Sequence, residues 1–247
     1  MAKENILIYG IHAVAAVCDR YPELVLQIAI NKELKDAKVS PIYSAAKTHN
    51  IFLKQVAKRE LDKVSGGNVH QGVIATCKSI PTGDMEELQN IISVSSKPFL
   101  LVLDGVQDPH NLGACLRTAN AMGVDAVIIP KNDSCGLTSV VHKVSCGAAV
   151  MTPLIEVGNL ASAMDFLANL GIWFVGLDLL AQQELATLDL TSPIAIVMGA
   201  EGDGMRRLTR DKCDFLAKLP MLGEIESLNV SVATGISLYE VVRQRVK

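Results

Sequence analysis

Apolar positions along this chain follow two spacings in turn. Around IHAVAAVC (11–18) they recur every three to four residues, the mark of an amphipathic helix, and LVLQIAI (24–30) follows as a continuous apolar run of strand length. A helix is expected from about Ser40-Pro41, a strand at IFLKQV (51–56), a short charged helix before SGGN and a strand at VIATC (73–77). Such alternation predicts a small α/β domain over residues 1–78. KSIPTGDMEELQNIISVSSK (78–97) has one amphipathic helix between polar, proline-bearing ends and reads as a linker over 79–97.

From Pro98 a second series begins. Its expected strands are FLLVLD (99–104), AVIIP (126–130), MTPLI (151–155), IWFVGLD (172–178), IAIVMG (194–199) and FLAKLP (215–220). These are near-continuous apolar runs, as parallel strands covered on both faces require. Helices are expected near 111–122, 138–146, 159–170, 204–213 and 229–245. Residues 98–247 therefore read as a doubly wound α/β domain, a fold that gathers ligands at the carboxyl ends of its strands.

Composition narrows the classes. The 247 residues are 49% apolar and 20% charged, which excludes wholesale disorder. The first residues lack the basic-then-apolar pattern of a secretory signal, and no run approaches the ~20 apolar residues of a membrane span. Six cysteines (Cys18, Cys77, Cys115, Cys135, Cys146, Cys213) form no C-x-x-C pair, so a reduced cytoplasmic setting without a metal site is expected. The net charge of −3 hides an asymmetry: residues 1–80 carry eleven basic and seven acidic residues, residues 81–247 twelve and nineteen. A basic front half is where phosphate contacts would lie.

Three segments carry candidate chemistry. In QDPHNLGACLRTANAMG (107–123), Asp108 and Pro109 begin a helix whose apolar face is Leu112, Cys115, Leu116, Ala119 and Met122, with the cation Arg117 on the far side. VMGAEGDGMRRL (197–208) follows a buried strand, and Gly199, Gly202 and Gly204 permit tight turns and close approach of a ligand around Glu201. In LPMLGEIESLNVSVATG (219–235), Ser227 is a candidate helix cap and Asn229 an awkward residue inside the first turn. Neither a G-x-G-x-x-G junction nor a P-loop lysine motif is present. The five histidines (12, 49, 70, 110, 142) have no metal-ligand spacing; His70 alone is a candidate RNA contact. Arg206, Arg207 and Arg210 read as a solvated helix face.

NLGACLRTA, IVMGAEGDGM and LPMLGEIESLNVSVATG resemble, in order, the three signature motifs of the SpoU/TrmH (SPOUT) RNA 2′-O-ribose methyltransferase family. YGIHAV and VHQGVIA in the front segment resemble the substrate-binding domain of its RlmB branch. The resemblance implies a parallel-sheet α/β domain with a deep trefoil knot, preceded by a small ribosomal-protein-like α/β domain that binds substrate. It implies a homodimer formed through the methyltransferase domain, and methyl transfer from S-adenosyl-L-methionine to a guanosine 2′-oxygen in the peptidyl-transferase region of 23S rRNA, free or in a large-subunit assembly intermediate. Carried over by position, Gly199, Leu219, Met221 and Leu228 would bind the cofactor. Asn111, Arg117, Glu201, Ser227 and Asn229 would form the catalytic set, Arg117 reaching across the dimer interface.

A ribose hydroxyl is a weak nucleophile, whereas a sulfonium methyl is already activated, so alignment can supply much of the catalysis. The family proposal makes Arg117 the general base, a poor fit to a guanidinium pKa above 12; anchoring a phosphate and stabilising the developing alkoxide suits it better. Two other readings stay open: a tRNA 2′-O-methyltransferase of the same superfamily, and a non-catalytic RNA-binding ribosome-assembly protein.

Overall fold

The computed structural model describes residues 5–34 and 37–246. The chain divides into two compact units, one of Met1–Pro81 with Leu137–Met151, the other of Thr82–Gly136 with Thr152–Lys247.

The first unit contains β1 (Ile6–Tyr9), α1 (Ile11–Arg20), β2 (Val25–Asn31), α2 (Ser40–Thr48), β3 (Phe52–Val56), α3 (Lys58–Ser65) and β4 (Val73–Cys77). Strand β1 has no counterpart among the expected elements. It is the short ILIY run, whose Ile6 and Ile8 face the core while Leu7 and Tyr9 are half-buried. The sheet order is β1-β4-β2-β3, with β4 antiparallel to both β1 and β2, and β2 parallel to β3. One sheet face packs Ile8, Ile28, Ile30, Val73 and Ala75 against Val14, Val17 and Cys18 of α1 and Ile42 of α2. On the other, Leu61 of α3 covers Val56 and Ile74.

The rest of the chain runs α4 (Met85–Val94), β5 (Phe99–Asp104), α5 (Pro109–Ala121), β6 (Ala126–Pro130), α6 (Ser139–Val144), α7 (Ala148–Met151), β7 (Leu154–Val157), α8 (Leu160–Asn169), β8 (Trp173–Leu177), β9 (Gln183–Glu184), β10 (Ile194–Gly199), α9 (Arg207–Asp211), β11 (Phe215–Lys218) and α10 (Val230–Arg245). Strands β5 to β11 form one parallel sheet in the order β7-β6-β5-β10-β8-β11-β9. Its centre is fully apolar: all of β5 and β6 and the first five residues of β10 are buried, as a sheet covered on both faces demands.

Two stretches differ from expectation. The segment read as a linker carries α4, whose Leu88 and Ile92 belong to the core of the second unit, and Gly83 exchanges backbone hydrogen bonds with Leu154 and Glu156. Its amphipathic face needed a partner and found the sheet. Residues 137–151 pack in the first unit: Val150 joins its core and Arg20 donates to the carbonyls of Val150 and Met151. The strand expected at 151–155 accordingly begins only at Leu154, because Ala148–Met151 is helical.

Candidate active site

The two central strands set the site's floor. Gly199, the last residue of β10, is in register with Asp104, the last of β5. A side chain at 199 is excluded, since a Cβ there would lie 2.1 Å from the Gly204 carbonyl carbon and 2.2 Å from the Met205 nitrogen. The chain folds back on itself at this point: Ala200 and Gly204 exchange backbone hydrogen bonds of 3.0 and 3.1 Å. Gly202 and Gly204 take left-handed conformations that a side chain would strain.

Arg206 anchors the far end of this turn. Its backbone nitrogen (2.9 Å) donates to Asp104 Oδ2, and its Nε (2.7 Å) to Oδ1 of the same carboxylate, which is wholly buried. The guanidinium also reaches Asp133, and Arg210 pairs with Asp178 at 3.0 Å. All three arginines are exposed, as expected, but each is also paired: Arg206 with Asp104, Arg210 with Asp178, and Arg207 with Asp211 one turn on. The pairing of Arg206 and Arg210 was invisible in sequence because their acidic partners lie far away along the chain. The apolar strand FLLVLD ending on a carboxylate was the available signal.

The polar cluster is assembled from three segments. Asp108 caps α5 by accepting from the amides of His110 and Asn111, with Pro109 in the first turn, where no backbone donor is lost. The Asn111 side chain is buried. Its Nδ2 donates to Glu201 at the glycine turn (3.0 Å), and its Oδ1 accepts from Asn229 Nδ2 (3.0 Å). Asn229 is itself the cap of α10, its Oδ1 accepting from the Ser231 amide at 2.9 Å. This corrects the cap expected at Ser227 and explains an asparagine at that place: it stands just before the first turn, where its side chain is wanted. Glu201, Asn111 and Asn229 therefore form one hydrogen-bonded row.

The remaining candidates are placed as follows. Arg117 is exposed, a turn and a half beyond Asn111 on α5. Ser227 is exposed in the irregular loop that joins β11 to α10. In that loop Leu219 and Met221 are half-buried, while Leu222, Ile225 and Leu228 are exposed. Strand β8 lies between β10 and β11, so Gly199 and Leu219 flank its carboxyl end. The residues after it, Asp178 and the exposed Leu179 and Leu180, were not singled out from sequence. Their signal was an apolar pair directly after a buried strand. Helix α5 packs on α10, with Cys115 Sγ 3.6 Å from Thr234 Oγ1 and the thiol pushed up to about 11 by burial. Among the described residues no three His, Cys, Asp or Glu side chains are grouped to hold a metal ion, and no helix is long and apolar enough to cross a membrane.

Residues 98–239 match the model of the SpoU rRNA Methylase family, and residues 7–82 that of RNA 2′-O ribose methyltransferase substrate binding. The chain belongs to the SpoU rRNA methylase family. Two members are similar over nearly their whole length. The 23S rRNA (guanosine-2′-O-)-methyltransferase RlmB of Vibrio parahaemolyticus is 49% identical, over 98% of both chains. That of Haemophilus ducreyi is 50% identical, over 97% of this chain and 98% of its own. Among solved structures, the SpoU methyltransferase AviRb from Streptomyces viridochromogenes, in complex with the cofactor AdoMet, shares the fold. Its TM-score is 0.76 at 22% identity, covering 98% of this chain and 91% of that one.

Proposed function

We propose that this SpoU-family chain transfers a methyl group from S-adenosylmethionine to the ribose 2′-oxygen of a guanosine in 23S rRNA. The observation that carries the reading is the row Glu201–Asn111–Asn229. It draws three segments distant in sequence to the carboxyl ends of a parallel sheet, where ligands of such folds gather. Nearly full-length similarity to the Vibrio and Haemophilus enzymes supports ribosomal over transfer RNA, and the complete polar row argues against a binder that has lost its chemistry.

The residues present fit the cofactor. The glycine at 199 lets the turn 200–205 close tightly over the end of β10, and Leu219, Met221 and Leu228 supply an apolar loop for the cofactor at the neighbouring strand ends. Bound there, S-adenosylmethionine supplies an activated methyl on a sulfonium. The chain's own work is then alignment. Asn111 and Asn229, held by Glu201 and the start of α10, fix the loop that faces the ribose, and Ser227 orients the sugar. Arg117 anchors the target phosphate and stabilises the alkoxide as it forms.

Two structural features belong to the same reading. Val232, Ile236 and Tyr239 on α10 are 50%, 44% and 57% exposed at spacings of four and three residues. This apolar stripe on one helix face, beside α5, supports a homodimer through the methyltransferase domain, with Arg117 serving the partner's site. The chain also leaves β11, beyond β8, and returns to pack α10 on α5 and β10 on the other side of β8. That return supports a trefoil knot in the C-terminal segment.

The test is to map ribose methylation in 23S rRNA from cells lacking the protein and complemented with wild type or Arg117→Ala. Wild type restores one guanosine mark; Arg117→Ala does not, its turnover falling by about 10²- to 10³-fold. A mark that persists without the protein sinks the assignment. A rate titrating between pH 6 and 10 would favour a general base over alignment.

A further inference from the structure

We propose that the groove between the end of β2, helix α3 and the loop 65–72 receives an unpaired nucleotide of the RNA substrate, and so selects where the enzyme docks. This deepens the ribosomal-RNA reading and rests on it. The groove has a volume of about 470 Å³ and is walled by Asn31, Leu34, Lys58, Asp62, Asn68 and Val69. Its size suits a small planar ligand.

The loop is held in one shape. His70, expected from sequence as an RNA contact, is instead buried and fully employed. Its Nδ1 accepts from the Gly72 amide at 3.0 Å, so its proton sits on Nε2, which donates to Asp62 at 2.9 Å. Gln71 sits in the left-handed region at φ 51°, and its side-chain oxygen accepts from the Ile11 amide at 3.1 Å. With the loop fixed on both sides, the groove is preformed rather than gathered on binding.

The groups left on its walls suit a nucleotide. Asp62 is oriented by His70 yet remains about half exposed, so it offers an acceptor to the exocyclic amine of guanine, adenine or cytosine, which uracil lacks. Leu34 and the 83% exposed Val69 present apolar surface to a ring face, and Lys58 opens α3 with a cation for the adjoining phosphate. The charge of the segment agrees: Lys58, Arg59 and Lys63 lie on α3 and Lys54, paired with Glu60, on β3, in the basic front of an acidic chain.

The experiment measures binding of the full-length protein to a 23S rRNA transcript by fluorescence anisotropy, and to S-adenosylmethionine by calorimetry. Lys58→Glu and Val69→Glu, both at exposed positions, are each expected to weaken RNA binding about tenfold or more while leaving cofactor affinity unchanged. Lys47→Glu, the same charge change on the exposed side of α2, is expected to weaken it less than threefold. Groove variants that bind like wild type overturn the proposal. So does a Lys47→Glu loss equal to theirs, which would mean diffuse charge alone. A wild-type chain that binds cofactor but not the transcript overturns the ribosomal-RNA reading itself.

Discussion

Asp104 and His142 are both nearly sealed from solvent, each in a different compact unit, and the chain treats them in opposite ways. Asp104, in the second unit, has a fork of donors from Arg206 and sits beside the glycine turn it helps to shape. His142 lies on α6, in the segment that packs with the first unit, and neither ring nitrogen has a hydrogen-bond partner among the described residues. Burial alone pushes its pKa down to about 4. A polar group that places chemistry is fully bonded; one that fills space is kept neutral. Near Asp104 the bonded polar groups Asn111, Glu201 and Asn229 converge at the strand ends of the second unit, whereas the bonded His70 of the first unit shapes a loop.

The largest test of this contrast is Arg206→Ala. Removing the guanidinium leaves a buried carboxylate without its charge partner, a loss worth 3–5 kcal/mol in general. The arginine is 48% exposed, which places the expected destabilisation at the low end, about 3 kcal/mol by urea unfolding. Cofactor affinity should fall as well, because Arg206 closes the turn that begins at Gly199. A change below about 1 kcal/mol would mean that Asp104 is stabilised by something other than this pair.

His142 gives the next effect. Its folded pKa lies below its unfolded value of 6.5, so as pH falls the unfolded chain takes up the proton first. Stability is therefore full above about pH 6.5 and is lost progressively between 6.5 and 4, with about 2 kcal/mol gone by pH 5. His142→Leu, similar in bulk and without polar atoms, should flatten that dependence and be more stable than wild type at pH 5. Equal slopes for the two proteins in urea melts at pH 7.5 and pH 5 would mean that the imidazole finds a partner or water.

How much of this was legible in sequence follows the same division. In the second unit the strands at 99–104, 126–130 and 194–199 fell where their apolar runs put them, because a strand buried on both faces has no alternation to blur its ends. Asn111, Glu201 and Asn229, singled out from three separate segments, are bonded together in the structure. What sequence could not supply was the pairing itself: Arg206 with Asp104 and Arg210 with Asp178 across long separations, and His70 with Asp62 eight residues away. Nor could it show that residues 137–151, lying between two strands of the second unit, pack with the first. Their apolar residues state a need for burial but not the partner.

Helix capping sharpens the comparison at its smallest scale. In the second unit α4, α5, α8 and α10 are capped by Asp84, Asp108, Asn159 and Asn229, each adjacent in sequence to the helix it caps. In the first unit α1 and α2 lack a local side-chain cap, Glu60 accepts from the Ala57 amide at the start of α3, Thr138 caps α6, and α1 borrows Gln71 from 60 residues away. The local caps are legible in sequence; the borrowed one is not. Asp108→Ala should cost about 1 kcal/mol and slow turnover too, since Asp108 also holds the Asn111 amide. Gln71→Gly loses its bond to Ile11 but relieves a left-handed backbone, so the two effects oppose and the net change should stay within about 0.5 kcal/mol. Gln71→Ala loses the bond and keeps the strain, and should be less stable than Gln71→Gly. If alanine proves the more stable of the two, position 71 does not require the left-handed conformation, and the fixed loop inferred for the first unit fails with it.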